Sequence, residues 1–329
     1  MSRPALPAAA ARVVDAALEA TVVGSFSRLG PAVRRVTDRW EQPHWAAGRT
    51  VLVTGATSGI GLAAAGELCR LGARVVVVGR DPARTEAAAG ALGATGAGEV
   101  AFEVADLGDL EQTAGLARRL AGRLDRLDVL VHNAGALLAE RRTSPQGTEA
   151  TLTVHLLSPY LLTERLRPLL AASAPSRVVT VTSGGMYTQR FDLASLEMGD
   201  DGYDGVAAYA RAKRAQVVLT AEWQRRYGHE GVDFCAVHPG WADTPGLSAG
   251  LPAFRRALRP LLRTAGQGAD TVVWLAGSAD GSVAGGRLWL DRRPRGVYHL
   301  PWTRAPAERR VAEGAALWEW CGERVAGVA

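Results

Sequence analysis

Thr50-Val51-Leu52-Val53-Thr54-Gly55-Ala56-Thr57-Ser58-Gly59-Ile60-Gly61 joins a short apolar run to a glycine-rich turn, and the fold follows from how that junction is read. Thr50 to Thr54 has the length and branched side chains of a buried strand, and the stretch from the glycines to Leu71 has the pattern of a helix. A strand that turns directly into a helix offers an anion unpaired N–H groups and the positive end of a dipole. Gly55 lets the chain turn, Gly59 lets the backbone approach a pyrophosphate, and Gly61 permits close helix–strand packing. Gly55, Thr57, Ser58, Gly59, Ile60 and Gly61 are therefore candidate contacts for a dinucleotide. The spacing is Gly-x-x-x-Gly-x-Gly, not the Gly-x-Gly-x-x-Gly of ordinary dinucleotide folds, so the turn needs its strand–helix setting to carry weight.

Outward from this junction the chain alternates. Apolar runs at 74–78, 99–104, 128–132, 177–181, 232–237 and 287–290 read as further strands. Helical patterns lie between them at 82–92, 110–123, 148–171, 207–227 and 268–279. Near-continuous apolar strands separated by helices indicate an α/β protein with a Rossmann-type, doubly wound parallel sheet of about seven strands, flanked by helices in a single domain. That domain is expected over 49–300. Residues 1–48 form a helical extension in which Val14, Leu18, Val22, Phe26 and Leu29 recur at helical spacing, the helix ending near Gly30-Pro31. Residues 301–329 form a helical tail with Val311, Ala315, Leu317 and Trp318 on its apolar face.

Composition narrows the function classes. The net charge of +5 arises from arginines scattered among acids, with no aromatic-interleaved basic stripe, so a nucleic-acid partner is not expected. Cys69, Cys235 and Cys321 form no Cys-x-x-Cys unit, which points to a reducing, cytoplasmic setting without disulfides or metal. Arg12, Asp15 and Glu19 interrupt the first apolar run, unlike a signal peptide, and no stretch of about 18 uncharged apolar residues could span a membrane. The extension can instead pack on the domain, on a second subunit of a homo-oligomer, or weakly on a membrane surface.

The end of the second strand distinguishes NAD(H) from NADP(H). An acid there would bind a ribose 2′-hydroxyl, whereas this strand ends Val78-Gly79-Arg80-Asp81. The Arg80 guanidinium suits a 2′-phosphate, which favours NADP(H), unless it simply pairs with Asp81 at the surface. Tyr209 and Lys213 stand i, i+4 near the start of a helix and share a face. A neighbouring ammonium moves a phenol toward the working range of an acid–base. Of the 38 basic residues Lys213 alone is lysine, as expected where a compact ammonium with several donors is needed. Ser183 follows the strand at 177–181, where a hydroxyl can hold a substrate oxygen or merely form the turn before Gly184-Gly185.

Thr54-Gly-x-x-x-Gly-Ile-Gly61, Asn133-Ala-Gly135, Ser183, Tyr209-x-x-x-Lys213 and His238-Pro-Gly240 together resemble the short-chain dehydrogenase/reductase family over about 49–291. Gly184-Gly185-Met186 and the long Ser–Tyr interval resemble its retinol-dehydrogenase-like branch. The resemblance implies a catalytic trio of Ser183, Tyr209 and Lys213. It also implies adenine contacts from Asp106 and Leu107, ribose contacts from Asn133, Ala134 and Gly135, and a nicotinamide border from Pro239, Gly240, Trp241 and Thr244. The family's fourth catalytic member is an asparagine that anchors a relay water, and here that position holds His155, either a proton carrier or a packed ring. Pro159 soon after it predicts a kink. The resulting expectation is an NADP(H)-dependent enzyme interconverting a carbonyl and an alcohol on a lipophilic small molecule. Its alternatives are a cofactor-binding regulatory protein with little turnover and a membrane-associated enzyme with the same chemistry.

Overall fold

The computed structural model describes residues 7–43, 46–95, 98–278 and 283–328. The chain begins with α1 (Ala8–Glu19), α2 (Val22–Phe26) and α3 (Leu29–Thr37), then enters the sheet at β1 (Thr50–Thr54). There follow α4 (Gly59–Arg70), β2 (Arg74–Gly79), α5 (Pro82–Gly93), β3 (Val100–Val104), α6 (Leu110–Arg123) and β4 (Val129–His132). A helix with a π-turn comes next: α7 (Ala150–Leu152), the π-turn Thr153–Leu157, and α8 (Ser158–Ala172). The second half runs β5 (Ser176–Val181), α9 (Gly205–Tyr227), β6 (Val232–Val237), α10 (Pro245–Gly250), α11 (Pro252–Leu258), α12 (Ala265–Gly277), β7 (Leu288–Leu290), β8 (Arg293–Arg295) and α13 (Ala307–Val325).

The strands form one eight-stranded sheet in the order β3-β2-β1-β4-β5-β6-β7-β8, parallel except for the β7–β8 pair. Alternation along a strand assigns side chains to opposite faces. Leu52 enters the core beneath α6, α8, α9 and α13, while Val51 and Val53 enter the core beneath α4 and α12. Both faces of the central strands are covered, so β1, β4, β5 and β6 are buried almost along their whole length.

Two expectations change. The extension is three helices, not one. Thr21 caps α2 by accepting from Gly24 N, and Gly30-Pro31 lies in the first turn of α3, where proline's missing N–H costs no hydrogen bond. The sheet also gains β8 at its edge, whose Arg293-Pro294-Arg295 lacks any apolar alternation. The expected end of the 268–279 helix at 279, and the first six residues of the extension, lie outside the described residues.

A buried charge cluster ties the extension to the sheet. Asp291 accepts from Arg34 Nη1 at 2.6 Å and from Arg263 Nη1 and Nη2 at 2.6 and 3.0 Å, all three side chains being almost fully buried. Arg34 also reaches Asp15 at 2.7 Å, and Arg293 and Arg295 of β8 close on the same Asp15 at 3.0 and 2.8 Å. Burial pushes the Asp15 carboxyl up, but Arg295 and Arg34 outweigh it and hold Asp15 below the usual carboxylate range. Asp291 has φ +52, a conformation that asparagine also tolerates, so Asp291→Asn preserves the backbone and removes the charge. Arg263 then loses its carboxylate while Arg34 keeps Asp15, and leaving that one buried guanidinium unpaired should cost about 3–5 kcal/mol. A urea melt should show this as a lowered midpoint, and an unchanged midpoint would contradict the assignment.

Candidate active site

Apart from His155, Tyr209 and Lys213, which helical segments carry, the candidate residues follow the carboxyl ends of β1 to β6. Gly55 to Gly61 lie between β1 and α4, and Arg80 follows β2. Asp106 and Leu107 follow β3, Asn133 to Gly135 follow β4, Ser183 follows β5, and Pro239 to Thr244 follow β6. The sheet order reverses between β1 and β4, so the crevice of an open α/β sheet opens at that point.

The glycine turn is held from β4. Thr54 Oγ1 accepts from the N–H groups of Asn133 and Ala134 at 3.0 and 3.1 Å, and Asn133 Nδ2 donates to the carbonyls of Thr54 and Gly55 at 3.0 and 3.1 Å. Gly55 has φ +64, and a Cβ on it would stand 2.7 Å from Ala134 Cα. Ser58 precedes α4 without capping it, whereas Asp81, Asp109, Asp204, Thr244 and Thr264 cap α5, α6, α9, α10 and α12 through their side chains. The first N–H groups of α4 are thus left for an anion, which fits a dinucleotide pyrophosphate. Thr244 folds back over this turn, such that a Cβ on Gly59 would lie 3.3 Å from its methyl group, and Ile60 packs toward Gly268 of α12.

At the end of β2, Gly79 lies close under the Thr57 and Thr85 side chains, where any larger residue would displace them. The carboxylate of Asp81 caps α5 through Arg84 N at 2.9 Å and does not pair with Arg80, which is exposed without an ion pair among the described residues. Asp106 Oδ1 accepts from Gly108 N at 2.8 Å. Leu107 is turned into the core, and its carbonyl accepts from Ser158 Oγ at 2.7 Å.

On the other side of the crevice, Asp204 caps α9 and sets Tyr209 and Lys213 on its inner face. Burial raises the Tyr209 phenol, and a hydrogen bond with Ser183 pulls it back. Ser183 Oγ also accepts from Gly185 N at 3.3 Å, so the serine forms the turn and meets the tyrosine as well. Lys213 Nζ donates to Val181 O at 2.7 Å and lies 5.5 Å from the centre of the Tyr209 ring. Burial pushes its ammonium down to about 7.

His155 sits in the π-turn, its ring edge-on to Tyr209 with centroids 5.2 Å apart, and its Nε2 is 2.8 Å from Ala136 O. Gly135 leaves room for this ring, since a Cβ there would lie 3.2 Å from His155 Nδ1. Burial lowers the imidazole to about 3, the Lys213 charge pushes the same way, and the bond to Ala136 opposes them. The expected kink before Pro159 takes the form of this π-turn. Pro159 has no N–H to give the His155 carbonyl four residues earlier, and Gln216 Nε2 donates to that carbonyl at 2.6 Å instead. Gln216 and Phe26 (which packs against Trp241) border the candidate site although no motif singled them out, whereas Thr54 opens the glycine motif itself.

A short chain dehydrogenase family model matches residues 49–250. The chain belongs to the short-chain dehydrogenase/reductase family. It is 39% identical over 266 residues to Dehydrogenase/reductase SDR family member 12 from Homo sapiens, covering 79% of this chain and 83% of that protein. It is 34% identical over 304 residues to human Retinol dehydrogenase 14, covering 86% and 90%. These bear out the retinol-dehydrogenase-like branch. The stretches Tyr209–Arg214, His238–Gly246 and Asp291–Pro294, with the extension, resemble the first of these two relatives. The structure of a short chain dehydrogenase from Burkholderia cenocepacia J2315 in complex with NADP matches with a TM-score of 0.61 at 25% identity, covering 74% of this chain and 96% of that one. As a member of this family the protein is an NAD(P)-dependent oxidoreductase acting on CH–OH groups. Among the described residues no helix is long and apolar enough to cross a membrane.

His155 gives the site a pH signature. A ring that titrates near 3 when folded and near 6.5 when unfolded binds its proton only on unfolding in that window. Its contribution to stability is complete above pH 6.5 and is lost as pH falls toward 3. Stability curves for wild type and His155→Asn should therefore diverge by about 1.4 kcal/mol per pH unit between these limits, the wild type falling more steeply. Parallel curves from urea melts would contradict a buried neutral ring.

Proposed function

We propose that this protein is an NADP(H)-dependent carbonyl reductase, or in reverse an alcohol dehydrogenase, acting on a lipophilic substrate. The observation that carries the reading is Tyr209, hydrogen-bonded to Ser183 and backed by the buried Lys213, across the crevice from the uncapped N-terminus of α4. NADP(H), when bound, supplies or accepts the hydride. Ser183 holds the substrate oxygen, and the Tyr209 phenol, raised by burial and pulled back by Ser183, gives that oxygen its proton. Lys213, poised near 7, returns a proton toward Tyr209 and holds the nicotinamide ribose. His155 stays neutral and serves as a packed wall for the Tyr209 ring rather than as a proton carrier.

NADP(H) is favoured over NAD(H) by the unpaired Arg80 and by the crowding around Gly79, which leaves no room for a ribose-binding acid. A lipophilic substrate is favoured by α10 and α11, which bury none of their residues, leave Leu247, Leu251, Phe254 and Leu258 half-buried and set Phe254 edge-on to Trp241. A cytoplasmic setting is supported by three buried cysteines, all free.

Two variants test this reading against a panel of long-chain aldehydes and apolar ketones. Tyr209→Phe should lower NADPH-dependent turnover by about 10²–10⁴-fold while NADPH still binds. Tight NADPH binding with no turnover by the wild type on any carbonyl would instead favour a regulatory role. Arg80→Ala should raise KM for NADPH about tenfold and leave KM for NADH unchanged, through loss of a charge-assisted pair. Equal effects on the two cofactors would remove Arg80 from the 2′-phosphate site.

A further inference from the structure

Phe26, on α2 of the extension, is almost fully buried among residues that border the crevice. Its ring meets His238 edge-on with centroids 4.2 Å apart, and Tyr187 and Trp241 each at 5.9 Å. It also presses on Gly184, the neighbour of Ser183, where a Cβ would stand 2.9 Å from Phe26 Cε2. The Phe26 carbonyl accepts from Trp241 N at 2.8 Å and from Arg263 Nε at 2.9 Å. That guanidinium lies directly against Gly240, whose φ of +74 and missing side chain allow the contact. Asp291 and the carbonyl of Ser25 hold the far side of Arg263. One residue of the extension therefore touches both the turn after β5 and the loop after β6.

Resting on the reading of these two loops as the walls around substrate and nicotinamide, we infer that Phe26 is a positioning residue of the active site. Its ring is wedged behind Ser183-Gly184, and its carbonyl pins Gly240-Trp241. The distance between the walls is set by a side chain that touches neither substrate nor cofactor. The adenosine half of the site, around Arg80 and Asp106, lies along other strands and is beyond its reach. The extension is then a working part of the site, and the Arg34–Asp291–Arg263 cluster is the clamp that seats it.

The test compares wild type, Phe26→Leu and Phe26→Ala in calorimetric titrations with 2′,5′-ADP, which carries only the adenosine end, and with NADPH. The 2′,5′-ADP affinity should stay within about twofold in all three proteins. NADPH should bind at least about fivefold more weakly to Phe26→Ala, with Phe26→Leu between, and turnover should fall in the same order. Equal weakening of both ligands would reduce Phe26 to general stability, and unchanged NADPH affinity in both variants would also overturn the inference. Because the readout is binding, absence of turnover in the wild type would count against the reductase reading and not against the wedge.

Discussion

At the centre of the sheet the Thr54 hydroxyl accepts two backbone N–H groups from the end of β4, and the Asn133 amide returns two bonds to the carbonyls of Thr54 and Gly55. This lock joins β1 to β4 where the strand order reverses, and the cofactor crevice of such a sheet opens at that reversal. With Ala134 and Asn133 drawn against the turn, Gly55 and Gly61 have no space for side chains. The start of α4 stays uncapped and faces outward because the turn before it cannot relax. The loops after β5 and β6 are then measured from this fixed point, and Thr244 closes the circle by lying over Gly59.

Around that lock, burial sets the electrostatics. The same desolvation that raises Tyr209 pushes Lys213 down to about 7 and His155 to about 3. An acid that keeps its proton, an ammonium close to giving one up and a ring that stays neutral are three responses to one environment. Behind the loop after β6 the opposite solution appears. Asp291, Arg34 and Arg263 are buried as a paired cluster, with the one carboxylate between two guanidinium groups. The cluster carries the extension to the edge of the active site.

The sheet was legible because β1 to β6 are apolar on both faces and separated by helices of ordinary length. The position of most candidate residues was legible for a related reason: the glycine turn, Asn133 to Gly135, Ser183 and Pro239 to Thr244 follow strand ends in order. What was hidden depends on long-range contacts. The pattern of Val14, Leu18, Val22, Phe26 and Leu29 runs through breaks at Thr21 and Ser27, and Val22 and Leu29 are exposed while Phe26 is buried. Arg293-Pro294-Arg295 could not announce a strand, since it pairs only along one edge and is held there partly by Asp15. Nothing in the sequence around Arg34, Arg263 and Asp291 marks them as buried, because their partners, more than two hundred residues apart for Arg34 and Asp291, meet only in the fold. The π-turn was half visible: Pro159 predicted a kink, but only the fold shows Gln216 satisfying the carbonyl it leaves.

The central claim is that this crevice passes a hydride between cofactor and substrate carbon while Tyr209 supplies the proton to oxygen. Mass spectrometry of the alcohol formed from an apolar aldehyde with NADPH deuterated at the transferring C4 position tests it most directly. The account predicts one deuterium on the carbinol carbon, and none there when unlabelled NADPH is used in D2O. Solvent deuterium on that carbon, or a product without cofactor label, would contradict it.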